Sequence, residues 1–207
     1  MSIVKLFLDY LGQLIYFFYP QKATIAIMHA KNRIYTGYLK KKFKRFGNSI
    51  IMWSPYILKG TEFIEVGENT IIEPGVQITA QKTSENIPVI KIGSNCLIRR
   101  NSHITAIKEI IIGDYVLTGT NVLISDNSHG NTDMRSLKVK TTKREIVSKG
   151  KVTIHDNVWI GNNVCILAGV TIGEGAIIGA NSVVNKNVPP YSVAVGVPIR
   201  IIEKSKP

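Results

Sequence analysis

The segment SDNSHGNTD, residues 125–133, contains the side chain of this chain best suited to acid–base chemistry. His129 lies there among small polar residues and a glycine. An imidazole exchanges protons near neutral pH, so it can take the proton of a hydroxyl group that attacks a carbonyl. Asp126 precedes it by three residues and could orient the ring or bind a substrate hydroxyl. His129 is therefore either a candidate general base or a solvated loop histidine, and Asp126 is a candidate either to orient the ring or to bind substrate.

A six-residue repeat follows this segment. From residue 154 the chain divides into IHDNVW, IGNNVC, ILAGVT, IGEGAI, IGANSV and VNKNVP, with a bulky aliphatic residue first and a small or β-branched residue fifth. Six residues advance an α-helix by roughly 600°, which leaves successive repeats about 240° out of register. Glycine and asparagine recur at fixed offsets and mark a bend in every repeat. The pattern therefore predicts a mainly β solenoid in which the repeated aliphatic residues stack inside.

The repeat also fixes the position of His129 relative to the scaffold. Shorter runs begin at Val66, Ile92 and Ile112, and the largest interruption separates Ser125 from Val152. A long excursion from a repetitive scaffold is either functional or merely tolerated. We predict a loop excursion at about residues 125–151, with His129 near its start.

Residues 152–202 resemble the C-terminal half of the hexapeptide-repeat acyltransferases, in the maltose and galactoside O-acetyltransferase branch. The motifs NVWIG, AGVTIG, the pair Pro189-Pro190 and GVPIR carry this resemblance, which extends over roughly residues 60–202. It implies a left-handed parallel β-helix, a homotrimer with sites between subunits, and acetyl-CoA as co-substrate. The first 50 residues resemble, more weakly, extensions of enzymes associated with surface-polysaccharide biosynthesis.

The resemblance also implies roles for particular residues. His129 matches the histidine that activates the acceptor hydroxyl for direct transfer, without a metal. Asn101 matches an asparagine that contacts the acceptor, although asparagine is also a favoured bend residue. His103 could face the same cleft or simply pack on a coil, and His155 is interpreted as structural. A zinc carbonic anhydrase on a related solenoid would need His103, His129 and His155 together, but the surrounding motifs differ.

The later repeats are expected to bind coenzyme A. Small residues allow the thin pantetheine arm to approach the backbone closely, and cations suit the phosphates of the nucleotide. The resemblance places a tryptophan beside the reacting centre, although outward packing against another subunit is the alternative. The predicted coenzyme-binding residues are Trp159, Gly161, Ala168, Ala180, Lys186 and Arg200.

The positive charge is concentrated near the N-terminus. The chain has a net charge of +12, and residues 1–60 hold ten basic residues against Asp9 alone. Residues 1–20 predict a helix with a broad apolar side, which polar residues make unsuitable as a membrane span. This helix either packs on protein or lies on a membrane surface, with KKKFKR (residues 40–45) against anionic lipid. Nucleic-acid binding is not predicted, because no binding motif accompanies the charge.

We therefore predict three segments. Residues 1–50 form a basic, partly helical extension, residues 51–190 form the β-helix acyltransferase domain, and residues 191–207 close the coenzyme site. The predicted function is acetyl transfer from acetyl-CoA to a saccharide hydroxyl in surface-polysaccharide biosynthesis. The expected location is the cytoplasm, either free or on the inner face of the membrane. Two alternatives remain: an N-acetyltransferase of an amino sugar, and a non-catalytic trimeric scaffold at the membrane.

Overall fold

Short parallel strands account for most of the structure. It is a computed structural model and describes residues 2–18, 21–53 and 57–204. Two helices precede them, α1 (Ile3–Phe18) and α2 (Gln21–Lys40). Sheet 1 contains, in spatial order, β1 (Arg45–Phe46), β4 (Ile64–Val66), β7 (Val89–Ile92), β10 (Glu109–Ile112), β15 (Val152–Ile154) and β18 (Thr171–Ile172). Sheet 2 contains β2 (Ile50–Ile51), β5 (Ile71–Ile72), β8 (Leu97–Ile98), β11 (Leu117–Thr118), β16 (Trp159–Ile160), β19 (Ile177–Ile178), β21 (Ser192–Val195) and β22 (Arg200–Lys204). Sheet 3, in chain order, contains β3 (Ile57–Lys59), β6 (Gln77–Ala80), β9 (His103–Ala106), β12 (Leu123–Ser125), β17 (Cys165–Ile166) and β20 (Val183–Val184).

Successive strands visit sheets 1, 2 and 3 in turn, which winds the chain into the predicted left-handed parallel β-helix. Among the described residues, the exceptions to parallel pairing are β21 with β22 and a small separate hairpin, β13 (Ser128–His129) with β14 (Ile146–Val147). A short helix, α3 (Met134–Lys138), and a 3-10 turn at Thr141–Lys143 lie between the hairpin strands. The predicted helical N-terminal extension, which contains two helices, and the predicted excursion are therefore both present.

The six-residue repeat produces the interior of the β-helix, as predicted. Three repeats make one coil, so Ile154 pairs with Ile172, and Ile160 pairs with Ile178 in the next coil. These four side chains are at most 1% exposed. Burying one such side chain contributes roughly 1.5–3 kcal/mol. The residues at the fifth position are buried as well: Val158, Val164, Val170, Ala176, Ser182 and Val188.

The second and third corners of the β-helix differ in regularity. At the second corner, between sheets 2 and 3, Asn101, Asn121, Asn163 and Asn181 all have positive φ, between 57° and 60°. Asparagine tolerates this left-handed conformation better than most residues. The amide of Asn121 donates to Asn163 and that of Asn163 donates to Asn181, both at 3.0 Å, so the turns form a side-chain ladder. The third corner, between sheets 3 and 1, is irregular and contains residues 81–88, 107–108 and 126–151.

Helix α2 covers the exposed edge of sheet 2. The Thr36 hydroxyl accepts a hydrogen bond from the Ile51 amide at 3.0 Å, and the Asn32 side chain accepts one from the Trp53 amide at 2.8 Å. Both polar side chains are 4% exposed. An open sheet edge can pair with another chain. Side chains of α2 prevent this by accepting hydrogen bonds from backbone amides at the edge strand.

The segment boundaries remain a prediction. The first strand of sheet 1, β1, already pairs with β4 from Arg45 onwards, so coil pairing begins within the predicted extension. Residues 205–207 of the predicted C-terminal segment lie outside the described residues. Within the residues described, no helix is both long and apolar enough to cross a membrane.

Candidate functional site

His129 lies on the antiparallel hairpin at the third corner and is exposed. It pairs with Ile146, and the next residue, Gly130, donates its amide proton to the Glu145 carbonyl at 2.8 Å. Gly130 has φ of 81°, a conformation that favours glycine, and its α-carbon faces the Arg144 side chain. The hairpin thus presents the imidazole to solvent on an ordered backbone. A general base must lie within hydrogen-bond reach of the proton that it removes, so this role of His129 stays a prediction.

Asp126 anchors the base of this hairpin. Its side chain is 0% exposed, and its carboxylate accepts hydrogen bonds from three backbone amides of the preceding coil: Ile107 at 2.9 Å, Lys108 at 2.8 Å and Glu109 at 2.8 Å. The side-chain amide of Asn127 also donates to the carboxylate at 3.1 Å. Our prediction that Asp126 binds the acceptor does not fit this geometry, because both oxygens are buried and already bonded. The carboxylate instead joins the excursion to the coil beneath it.

The sequence contained a signal for this role. Ser125 pairs with Thr105, so the following residue, Asp126, lies level with Ala106. Ala106 pairs with Ala80 in the coil before, and both alanines are buried. A carboxylate at a position that otherwise faces the interior must be paired with donors to be tolerated.

The rest of the excursion is closed by further polar contacts. Arg144 donates to the carbonyls of Val139 at 3.0 Å and Leu137 at 3.1 Å. Asp133 caps α3 by accepting from the Ser136 amide at 3.0 Å. An open cavity of about 690 Å3 lies between residues 81–86 and the hairpin. Its polar lining includes Lys82, Glu85, Asn86, Lys108, Asn131, Glu145 and Ser148.

Asn101 and His103 lie away from the hairpin strands. Asn101 is exposed at the second corner, where its φ of 60° matches that of the other asparagines, and its backbone amide donates to the Pro74 carbonyl at 3.2 Å. His103 begins β9 on the outer face of sheet 3, level with Gln77 and Leu123. Partial burial lowers the pKa of His103 below the ordinary value. Within one copy of the described chain, no three His, Cys, Asp or Glu side chains are grouped to hold a metal ion, so the histidine set of the zinc alternative is not assembled there.

Two of the predicted coenzyme residues lie together at the second corner. A Cβ on Gly161 would come within 2.5 Å of the Ala180 amide nitrogen, so glycine is needed there for the coils to stack. Trp159, just before, lies on the outer face of sheet 2 and is 52% exposed. It is level with Leu117 and Ile177 on the neighbouring strands.

The other predicted coenzyme residues are divided between two places. Ala168 and the exposed Lys186 follow β17 and β20, at the third corner. Arg200 is exposed at the start of β22, after the turn formed by residues 196–199. That turn is held against sheet 3, because the Ile199 amide donates to Val183 and the Val183 amide donates to Gly196, both at 3.1 Å. The C-terminal segment therefore meets the last coil, where the coenzyme was predicted.

Residues 151–186 match the family model described as bacterial transferase hexapeptide (six repeats). This hexapeptide-transferase segment includes Trp159, Gly161, Ala168, Ala180 and Lys186. It begins where the excursion that carries His129 ends. No curated protein matches the chain at a significant level.

Solved structures of two proteins show how far the likeness extends. AntD, an N-acyltransferase from Bacillus cereus in complex with dTDP and 3-hydroxybutyryl-CoA, is 21% identical, with a TM-score of 0.66 over 83% of this chain and 88% of its own. At that identity the likeness concerns the fold. VCA0836, a hexapeptide-repeat acetyltransferase from Vibrio cholerae complexed with acetyl coenzyme A, is 27% identical, with a TM-score of 0.50 over 83% of this chain and 76% of its own. A second structure of VCA0836 is 26% identical, with a TM-score of 0.52 over 85% of this chain and 82% of its own.

Proposed function

We propose that this protein is an acyltransferase that moves the acetyl group of acetyl-CoA directly to a saccharide hydroxyl, with His129 as general base. The observation that carries the proposal is the exposed imidazole on an ordered hairpin, directly before the hexapeptide-transferase segment. The likeness to the acetyltransferase VCA0836, which was crystallised with acetyl coenzyme A, supports the donor. The maltose and galactoside O-acetyltransferase branch remains part of this proposal.

The chemistry needs one base and no enzyme-bound intermediate. The acceptor hydroxyl attacks the thioester carbonyl while the imidazole of His129 takes its proton. The C–S bond then breaks, the coenzyme thiolate leaves, and the imidazolium returns the proton to it. The products are a saccharide ester and free CoA thiol, so atoms and charge balance. The open cavity beside the hairpin has amide, carboxylate and ammonium groups that suit the hydroxyls of a sugar, and Ile146, the strand partner of His129, is among its lining residues whereas His129 itself is not.

The donor is assigned to the last coils. Lys186 and Arg200 are exposed cations that suit the coenzyme phosphates. Ala168 and Ala180 offer backbone groups with little steric hindrance, and Trp159 is exposed enough to contact the coenzyme or a neighbouring subunit. Gly161 keeps its proposed place in the groove in addition to its role in coil stacking. Asn101 is retained as an acceptor contact, although its left-handed turn conformation also explains an asparagine there.

A homotrimer completes the proposal. The outer face of sheet 2 presents an apolar row in which Ile71 and Leu117 are each 39% exposed and Trp159 is 52% exposed. The outer face of sheet 1 is instead polar, with Arg45, Glu65 and Lys91 at successive positions. An apolar face of this kind favours burial against another protein surface. A role in surface-polysaccharide synthesis, in the cytoplasm or at the inner face of the membrane, belongs to the same proposal.

The test is release of CoA thiol from acetyl-CoA in the presence of a panel of saccharides that includes amino sugars. We expect His129→Ala to lower turnover by about 100- to 10,000-fold while the thermal midpoint stays within a few degrees. His155→Ala is the matched control, because His155 is also an exposed histidine of the β-helix. Full turnover by His129→Ala would contradict the mechanism. An amide product would establish the N-acetyl alternative, and no binding of CoA in calorimetry would favour the scaffold.

A further inference from the structure

Helix α1 leaves its apolar side chains in solvent. Lys5, Asp9 and Gln13 form a narrow polar stripe, and most of the remaining surface is apolar. Ile3 is 87% exposed and Phe7 is 64% exposed. Other large apolar side chains of the helix that are at least 39% exposed include Val4, Leu6, Leu8, Tyr10, Leu11, Leu14, Ile15 and Tyr16. A continuous row of exposed apolar side chains along a whole helix marks an interaction site.

A second apolar surface lies on α2 and at Trp53. Ile27, Ile34 and Tyr38 fall on one side of the helix at i, i+7 and i+11, and together with Trp53 they define the α2 stripe. Ile34 is 75% exposed, Tyr38 is 67% exposed and Trp53 is 54% exposed. They line an open groove of about 730 Å3. The stripe is not an incomplete core, because the opposite side of α2, with Asn32 and Thr36, is the side fixed to the edge of sheet 2.

Cations accompany the aromatic residues of this stripe. The ammonium of Lys31 lies 4.1 Å from the centre of the Trp53 ring, and that of Lys42 lies 4.9 Å from the centre of the Tyr38 ring. Tryptophan and tyrosine beside lysine are typical of the boundary between lipid and water, where an apolar ring and a charged group are both satisfied. Nucleic acid would match the charge but would leave the aliphatic surface exposed.

The charge of this region selects the kind of lipid. Ten basic residues and one acidic residue lie in residues 1–60, and Lys40, Lys41 and Lys42 directly follow the stripe. Basic residues near an anionic bilayer each strengthen binding at low salt. The 16 residues of α1 reach about 24 Å, shorter than the roughly 30 Å hydrocarbon core, so the helix suits the plane of the interface.

We infer that α1 and the α2 stripe dock the protein on an anionic bilayer. Because α2 is fixed to the first coil, the excursion at the fourth coil lies three strand spacings, about 15 Å, along the β-helix axis. The acetyl-transfer site would then act close to the membrane, on a saccharide held at its surface. This last step rests on the proposed function, whereas the docking does not.

Sedimentation with vesicles tests docking without any need for turnover. We expect the full chain to sediment with vesicles of phosphatidylglycerol and phosphatidylcholine, and far less with phosphatidylcholine alone or at 1 M salt. Replacing Lys40, Lys41 and Lys42 by glutamine should weaken binding on the order of 100-fold at low salt. The matched control replaces Lys138, Lys140 and Lys143 by glutamine. It removes the same amount of charge from the excursion and should change vesicle binding much less.

Fluorescence locates the contact. The chain has two tryptophans, so Trp159→Phe leaves Trp53 as the only reporter. We expect anionic vesicles to shift its emission to shorter wavelength and brominated lipid to quench it. Phe7→Glu should weaken vesicle binding at least tenfold, because it places a charge in the apolar surface of α1. Absence of sedimentation of the full chain with anionic vesicles would overturn the inference. If Phe7→Glu also changed the oligomeric state of that chain, a second copy, rather than a bilayer, would cover the apolar surface.

Discussion

The second and third corners of the β-helix turn the same chain between neighbouring sheets by different means. At the second corner four successive turns each contain an asparagine in the left-handed conformation, and the last three of these are joined by side-chain hydrogen bonds. At the third corner a single carboxylate, that of Asp126, bonds three amides of one coil and anchors the excursion of the next. The difference shows where the fold can vary. A corner built from a repeated residue keeps every turn short, whereas a corner held from one buried point can carry a long loop.

The largest effect is expected at that buried point. Asp126→Ala would remove a fully buried acceptor from the amides of Ile107, Lys108 and Glu109, so we expect the free energy of unfolding to fall by about 3–5 kcal/mol. Asp126→Asn should cost less, because the oxygen of its side-chain amide still accepts a hydrogen bond. Some loss remains, because its NH2 group would face a backbone N–H donor. Urea denaturation gives both values.

A structural role for Asp126 also predicts how activity would change. Loss of turnover in Asp126→Asn should follow loss of the ordered hairpin, seen as faster amide exchange at Gly130, which normally donates to Glu145. Normal exchange at Gly130 together with a raised KM for the saccharide would instead restore Asp126 as an acceptor ligand.

The next largest effect is the difference in stability cost between glycine substitutions at the two corners. At Gly161 a Cβ would come within 2.5 Å of the Ala180 backbone, whereas at Gly130 the nearest atom is the side-chain Cδ of Arg144 at 3.0 Å. Backbone cannot move aside without separating the coils, but an arginine can. We expect Gly161→Ala to cost about 2–3 kcal/mol of stability. Gly130→Ala should cost about 1 kcal/mol, mainly because its φ is positive. Equal costs, measured by chemical denaturation, would contradict this account.

The sequence predicted the regular part of the fold more completely than the site. The aliphatic position of each repeat, such as Ile154 and Ile160, determined the buried ladder, because a strict six-residue period has few structural solutions. The excursion was found as a break in that period. The partners of Asp126 were not predicted, because its contacts reach 17 to 19 residues back to a different coil. Gly161 was attributed to a ligand, and the structure adds a second reason for glycine there, because a Cβ would meet the Ala180 backbone of the next coil.

A smaller effect is expected within the asparagine ladder. Asn163 has φ of 57° and both accepts from Asn121 and donates to Asn181. Asn163→Ala keeps the left-handed turn but adds strain and removes both exposed hydrogen bonds, so we expect a cost of about 1–2 kcal/mol. Asn163→Gly separates the two contributions, because glycine relieves the strain without restoring the ladder. If glycine costs as much as alanine, the hydrogen bonds rather than the conformation stabilise this corner.

The smallest effect concerns pH and the face of sheet 3 that joins the two corners. Burial lowers the pKa of His103, and its strand neighbours level with it, Gln77 and Leu123, are uncharged. The unfolded chain therefore binds a proton at this residue more readily than the folded chain. Its unfavourable effect on stability is absent well above pH 6.5, roughly the ordinary histidine value, and grows as the pH falls through that value towards the lower folded pKa. Urea denaturation at pH 7.5 and 5.5 should thus show a smaller loss of stability on acidification for His103→Gln than for the unmodified chain. An identical loss in both proteins would mean that solvent reaches the ring at this face and that burial does not govern its titration.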